Sequence, residues 1–219
     1  DNRTVIISGY ENNGSRDTAT YWTYDGGSVT PYRLEGELES SATDVVVGGD
    51  GDRYFSGYFD NGTHDVAVYW TVRGGTVLRE DLYTTSLSQA YSLDVSSNVF
   101  VSGRFRDGSV QAAYWVDDAS GLQVLPGTSG DAQDVTALAG VPHVVGGYIS
   151  SSGDRRAAYW RESERFDLVG TEVGLTTFAY GVYAYSDKLF VAGTQTGAAE
   201  EAVYWEAGAP TELYRGVES

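Results

Sequence analysis

The chain has no cysteine in its 219 residues, which excludes a disulfide framework, a thiol nucleophile and a cysteine-ligated zinc. Lysine is almost missing: Lys188 stands alone beside thirteen arginines, and 14 basic residues face 31 acidic ones for a formal net charge of −17. That balance repels phosphate backbones and anionic headgroups, so nucleic acid is not expected as a partner. A biased genome or adaptation to salt would each produce such a composition. No apolar run is long enough to cross a bilayer, so membrane insertion is not expected either. The opening residues, DNRTVIISGY, have neither a basic leader nor an initiating methionine, and the chain reads as a processed protein or an excerpt of a longer one. Helical periodicity is also absent.

What the chain does have is a repeat. A small residue, a spacer and Tyr-Trp recur five times, ending at Trp22, Trp70, Trp115, Trp160 and Trp205, with spacings of 48, 45, 45 and 45 residues. A period of this length belongs to propeller blades and similar arrays. A short apolar stretch ending in glycine precedes each pair: VIISG at Gly9, RYFSG at Gly57, VFVSG at Gly103, HVVGG at Gly147 and LFVAG at Gly193. Each full unit reads as four strands: an A strand (ATDVVV, SLDVSS, AQDVTAL, AYGVYAY), the apolar B strand, the Tyr-Trp C strand and a weaker D strand. Between B and C, Asn13-Gly14, Asn61-Gly62 and Asp107-Gly108 supply the positive φ that tight hairpins need, and Ser152-Gly153 and Thr196-Gly197 stand in the same place.

Large apolar groups on both faces of strand C, and successive apolar residues in strand B, call for sheets covered on both sides. Small four-stranded antiparallel sheets stacked around an axis meet that demand, so the fold class is all-β, a five-bladed β-propeller. Residues 1–219 form one domain, with units at roughly 1–39, 40–87, 88–130, 131–176 and 177–219. The A-x-D-V, apolar-to-Gly and A-x-Y-W pattern resembles extracellular HAF-type repeats and the VYVAG…AAYW repeats of surface lipoproteins. The resemblance spans nearly the whole chain and implies an exported, cell-surface propeller without implying a reaction.

Strands B, C and D occur five times but A only four, so the first blade lacks its inner strand. Excerpt boundaries, a tolerated three-stranded blade, or a strand donated by another molecule each account for this. The five Trp-Tyr pairs read as packing between blades, a need repeated in every unit. For sugar stacking the candidates are Tyr10, Tyr58 and Tyr148, each immediately after a strand-B glycine and before a polar loop, with Arg104 and Thr194 in the other two units. Asp44, Asp94 and Asp134 read as one strand-A position in three units, with Gly181 in the fourth. As a carboxylate ring they could hold Ca2+, the one cofactor the chain suggests; as strand residues they accept backbone hydrogen bonds. His64 and His143 have no triad or metal spacing, and no nucleophile elbow or phosphate loop is present. Sequons at Asn2, Asn13 and Asn61 are candidate glycosylation sites, two of them already explained by Asn-Gly turns. The function reading is a non-enzymatic extracellular interaction or assembly module, self-associating or taking a protein partner by strand addition. The alternatives are a propeller lectin and a glycoside hydrolase or lyase using the channel acids, for which Asp94→Asn would be the test.

Overall fold

The computed structural model describes residues 4–36, 38–117, 121–171, 174–186, 188–206 and the backbone of 209–214. Every regular element is a β-strand, and no helix among the described residues is long and apolar enough to cross a membrane. Blade 1 is a three-stranded meander of β1 (Val5–Asn12), β2 (Asp17–Asp25) and β3 (Ser28–Arg33). Blade 2 adds an inner strand: β4 (Ser40–Val47), β5 (Arg53–Asp60), β6 (Asp65–Arg73) and β7 (Thr76–Tyr83). Blade 3 comprises β8 (Ser88–Val95), β9 (Val99–Asp107), β10 (Ser109–Val116) and β11 (Gly121–Val124). Blade 4 comprises β12 (Thr128–Leu138), β13 (Val141–Ile149), β14 (Arg155–Arg161) and β15 (Glu164–Leu168). Blade 5 comprises β16 (Thr176–Tyr185), β17 (Lys188–Thr196), β18 (Glu200–Glu206) and β19 (Ala209–Tyr214). The strands of each blade follow chain order and pair antiparallel. The protein is a five-bladed β-propeller whose first blade has three strands among the described residues.

The hairpin chemistry read from the sequence is visible at two turns. Gly14 and Gly62 both have φ of 91°, which an L side chain adopts only with strain. The amide oxygens of Asn13 and Asn61 accept the N–H groups of Arg16 and His64, each at 3.1 Å, and so close the turns.

Alternation in the C strands sends Ala and Tyr to one face and Trp to the other, and the faces serve different interfaces. The Tyr face of each blade meets the Trp face of the next. Ala19 and Tyr21 pack with Phe55, Val68 and Trp70 across blades 1 and 2. Ala67 and Tyr69 pack with Val101 and Trp115 across blades 2 and 3. Ala112 and Tyr114 meet Val144 and Trp160 across blades 3 and 4, and Ala157 meets Val191 and Trp205 across blades 4 and 5. The indoles of Trp70, Trp115, Trp160 and Trp205 are fully buried. Four clusters thus fill four interfaces, and among the described residues no buried cluster joins blade 5 to blade 1.

The A strands form the innermost layer, where carboxylates of one A strand bond to the backbone of the next. Each A strand carries a β-bulge, at Ala42/Asp44, Ala90/Ser92, Ala132/Asp134 and Ala179/Gly181. The bulge fixes the true correspondence between blades, and it corrects two alignments read from sequence. The glycine equivalent to Gly57 in blade 4 is Gly146, paired with Ala132 and Ala158, and not Gly147. The residue equivalent to Asp44 and Asp134 in blade 3 is Ser92, and Asp94 lies two positions further along. The bulge itself recurs at the same place in all four A strands, so the slips come from the sequence around it: an Asp two places further along β8, and a second glycine beside Gly146.

Candidate functional site

The candidate residues fall in three regions: the inner edge of blade 1, the channel acids, and the end of the ring that holds the B–C hairpins.

At the inner edge, β1 pairs only with β2 among the described residues. Its counterparts β5, β9, β13 and β17 each have an A strand on that side. In those four blades the strand-B glycine is a steric necessity. A Cβ on Gly57, Gly103 or Gly146 would stand 2.0 Å from the carbonyl oxygen of Ser41, Gln89 or Asp131, and one on Gly193 would stand 2.1 Å from that of Phe178. The bulged A strand presses its backbone into the space a side chain would fill. Gly9 occupies the same register position, yet the only atoms near its would-be Cβ belong to the Trp22 ring, the closest at 3.1 Å. Among the described residues, nothing occupies this cradle in blade 1. Ile7 is 51 % exposed, whereas the residues in its place, Phe55, Val101, Val144 and Val191, are at most 3 % exposed. Val5 and Tyr10 are exposed on the same strand, and Trp22 is only half-buried. In blade 5, Ala202 is exposed where Ala19, Ala67, Ala112 and Ala157 of the other blades are buried.

A second recurring device was not read from the sequence. Ser40 Oγ accepts the N–H of Ala19 at 2.9 Å and donates to the Leu38 carbonyl at 3.2 Å. Ser88 Oγ accepts the N–H of Ala67 and donates to the Tyr83 carbonyl, both at 2.8 Å. Thr177 Oγ1 accepts the N–H of Ala157 at 2.9 Å and donates to the Leu168 carbonyl at 3.1 Å. Each hydroxyl pins the start of one blade's A strand to the C strand of the blade before, and all three are buried. Its signal was present: a Ser or Thr stands two residues before the strand-A alanine in three of four units, with Gly130 in the fourth.

The channel acids are committed to neighbouring backbone. Asp44 Oδ2 accepts the N–H of Leu93 at 3.1 Å, Asp94 Oδ2 that of Ala137 at 2.6 Å, and Asp134 Oδ2 that of Val182 at 2.7 Å. Each carboxylate therefore clasps the next blade, and Asp94 does so from its shifted position. Among the described residues no group of three or more His, Cys, Asp or Glu is placed to hold a metal ion. The Ser92 hydroxyl lies 2.8 Å from Asp44 Oδ2 and 2.6 Å from Asp134 Oδ1. One hydroxyl has one proton, so it satisfies one of the two acids at a time. Burial raises the Asp134 pKa above the ordinary 3.8, with the Asp44 charge acting in the same direction against the Ser92 and backbone hydrogen bonds. A carboxyl with a raised folded-state pKa binds its proton more tightly in the folded protein. Its contribution to stability is present below 3.8 and is lost as pH rises through the raised value. Asp134→Asn is expected to flatten that part of the stability profile, as measured by urea unfolding between the two pH limits; an unchanged slope would contradict this assignment.

The three tyrosines singled out for sugar binding are not brought together. Tyr10 and Tyr58 share a position, but Tyr148 is equivalent to Phe59 and Phe105 and faces the other way, because the relevant glycine is Gly146. Tyr148 is buried, donates to Asp167 Oδ2 at 2.9 Å and has the Arg165 guanidinium 4.0 Å over its ring; burial, then that hydrogen bond, raises its pKa. Tyr58 is half-buried beside a polar network that the sequence did not reveal. Asp65 accepts from Gln89 at 2.6 Å, Gln89 accepts from Arg104 at 2.8 Å, and Asp131 bridges Arg104 and Arg155, each at 3.2 Å. Burial, then the Asp65 charge, raises the Tyr58 pKa. Arg104 also lies over the Tyr91 ring at 5.7 Å. Phenol faces beside planar amide, guanidinium and carboxylate groups offer the stacking and forked hydrogen bonds that sugar rings engage. A cleft of about 460 Å3 lined by Arg104, Arg106, Asp131 and Arg155 continues this network.

His143 is buried and bonds Tyr159 Oη at 2.7 Å, while His64 approaches the Thr84 carbonyl at 3.3 Å, so the two serve separate local contacts. Asn13 and Asn61 are exposed turn residues, and Asn2 lies outside the described residues.

No family model and no curated protein matches the chain. Solved structures do. The chain is similar to a mutant lectin of Aleuria aurantia in complex with Fucα1-6GlcNAc, with 13% identity and a TM-score of 0.55, covering 97% of this chain and 75% of that one. It is also similar to Trypanosoma rangeli sialidase in complex with the inhibitor DANA, with 12% identity and a TM-score of 0.51, covering 92% of this chain and 42% of that one. At these identities the likeness is one of fold, and it agrees with the five-sheet propeller described above.

Proposed function

We propose that the protein is a non-enzymatic, extracellular assembly module, related to the HAF-type repeat proteins, whose first blade is completed by a β-strand from a neighbouring molecule. The observation that carries this reading is Gly9, a glycine shaped for a crossing strand that no described residue supplies. An added strand would give β1 a full set of ladder hydrogen bonds and cover Ile7 and Val5. It would also make a head-to-tail contact, which closes into a ring or extends into a filament according to its rotation. The test is Gly9→Val in the 219-residue chain. Large particles seen by light scattering and electron microscopy in the parent should disappear in the variant while the monomer keeps its unfolding midpoint. Particles that persist in Gly9→Val would overturn the proposal.

Carbohydrate binding is the second reading, favoured by the Tyr58, Gln89 and Arg104 network and in keeping with the glycan held by the Aleuria aurantia lectin. Tyr58→Ala and Arg104→Ala are each expected to erase glycan-array signal; an array on which the parent protein itself is silent would remove this reading. The acids of the channel, each turned to a backbone N–H of the next blade, give the enzyme alternative less support.

A further inference from the structure

Resting on the strand-addition reading, we infer that the inner edge of blade 1 recognises a strand of the pattern Ser/Thr-x-Ala, and that this one strand engages blades 1 and 5 together. The template is repeated inside the chain. In every A strand an alanine stands beside the strand-B glycine: Ala42 pairs with Gly57, Ala90 with Gly103, Ala132 with Gly146 and Ala179 with Gly193. All four alanines are at most 4 % exposed, so a larger side chain at that place has no room. The carbonyl of the residue before each alanine is the atom that requires glycine in strand B. At Gly9 the same geometry places an alanine of the incoming strand against β1, with the preceding carbonyl over the glycine.

The hydroxyl two residues before the alanine supplies the second contact. Ser40, Ser88 and Thr177 each cap the N–H of a C-strand alanine on the preceding blade. For a strand added to blade 1 the preceding blade is blade 5, and the corresponding alanine is Ala202. Ala202 sits at a bulge of the β18–β19 pair, as Ala67 does in β6–β7. It is exposed, and no hydroxyl caps it among the described residues. A hydroxyl-x-Ala strand therefore fits the Gly9 cradle with one residue and the blade 5 backbone with another. It would supply at the seam the hydroxyl cap that three of the four internal interfaces already have. An apolar residue at the hydroxyl position would bury the Ala202 N–H without a partner.

The experiment titrates the 219-residue chain, at a dilution where it is monomeric, with three fluorescent peptides, read by anisotropy. The first copies Ser40–Val46, the second carries Ala42→Leu and the third Ser40→Val. The first is expected to bind, with affinity at least about tenfold weaker for each of the other two. Equal binding of all three would overturn the recognition chemistry while leaving strand addition in place. Binding of none would also overturn it, and the Gly9→Val assembly result then decides strand addition separately. Ala202→Pro, which removes the N–H, is expected to level the first and third peptides; a persisting tenfold difference would overturn the assignment of the hydroxyl to blade 5.

Discussion

Trp115→Ala is expected to lower stability by about 3–5 kcal/mol, the range for removing a fully buried large aromatic side chain. Trp115 is 1 % exposed and lies where blade 3 meets Ala67 and Tyr69 of blade 2, so its loss leaves a cavity in a seam between two sheets. Little of the cost comes from hydrogen bonding, because its indole N–H has no partner among the described residues. Trp22→Ala should cost only about 1–2 kcal/mol, since that ring is half-buried and belongs to no buried cluster among the described residues. The check is urea unfolding of both variants beside the parent. Equal losses would mean that the Trp face of blade 1 is covered as fully as the others, contrary to the architecture described here.

Gly103→Ala is the second large effect, expected at about 3 kcal/mol from one methyl group. Its Cβ would meet the Gln89 carbonyl oxygen at 2.0 Å and the Ala90 Cα at 3.0 Å, both main-chain atoms of the A strand. Relief requires moving β8, which is itself clasped at Leu93 by Asp44. Gly9→Ala meets only the Trp22 ring at 3.1 Å. The ring can give way, and the added methyl restricts the unfolded chain, so the monomer should change by less than about 1 kcal/mol. The pair separates glycines needed by the fold from a glycine needed by a partner, through thermal unfolding of the two variants. A Gly9 variant as destabilised as the Gly103 variant would mean that the chain itself fills the Gly9 cradle.

These contrasts show where the sequence was readable. The period, the four-strand unit and the missing inner strand are written in Trp spacing, hairpin dipeptides and two-faced strands, because each depends on local periodicity. Register was less readable. Asp94 lies two places beyond the Asp44 position, and the Gly146-Gly147 pair let Gly147 stand in for Gly146, which in turn grouped the buried Tyr148 with the exposed Tyr10. The Asp65 to Arg155 network joins residues from three blades at irregular spacing, so no linear motif announces it. The hydroxyl pins were readable in principle, as Ser or Thr before Ala, but short polar residues at strand starts also mark turns, and only the geometry separates the two roles.

The measurement that bears most directly on the central claim is electron microscopy of the untagged native material, at a resolution that traces the backbone beside Val5–Asn12. A bulged strand from a neighbouring molecule is expected there, its alanine against Gly9 and its hydroxyl at Ala202. A β1 edge open to solvent in isolated particles, or paired with a strand of the same chain, would contradict it.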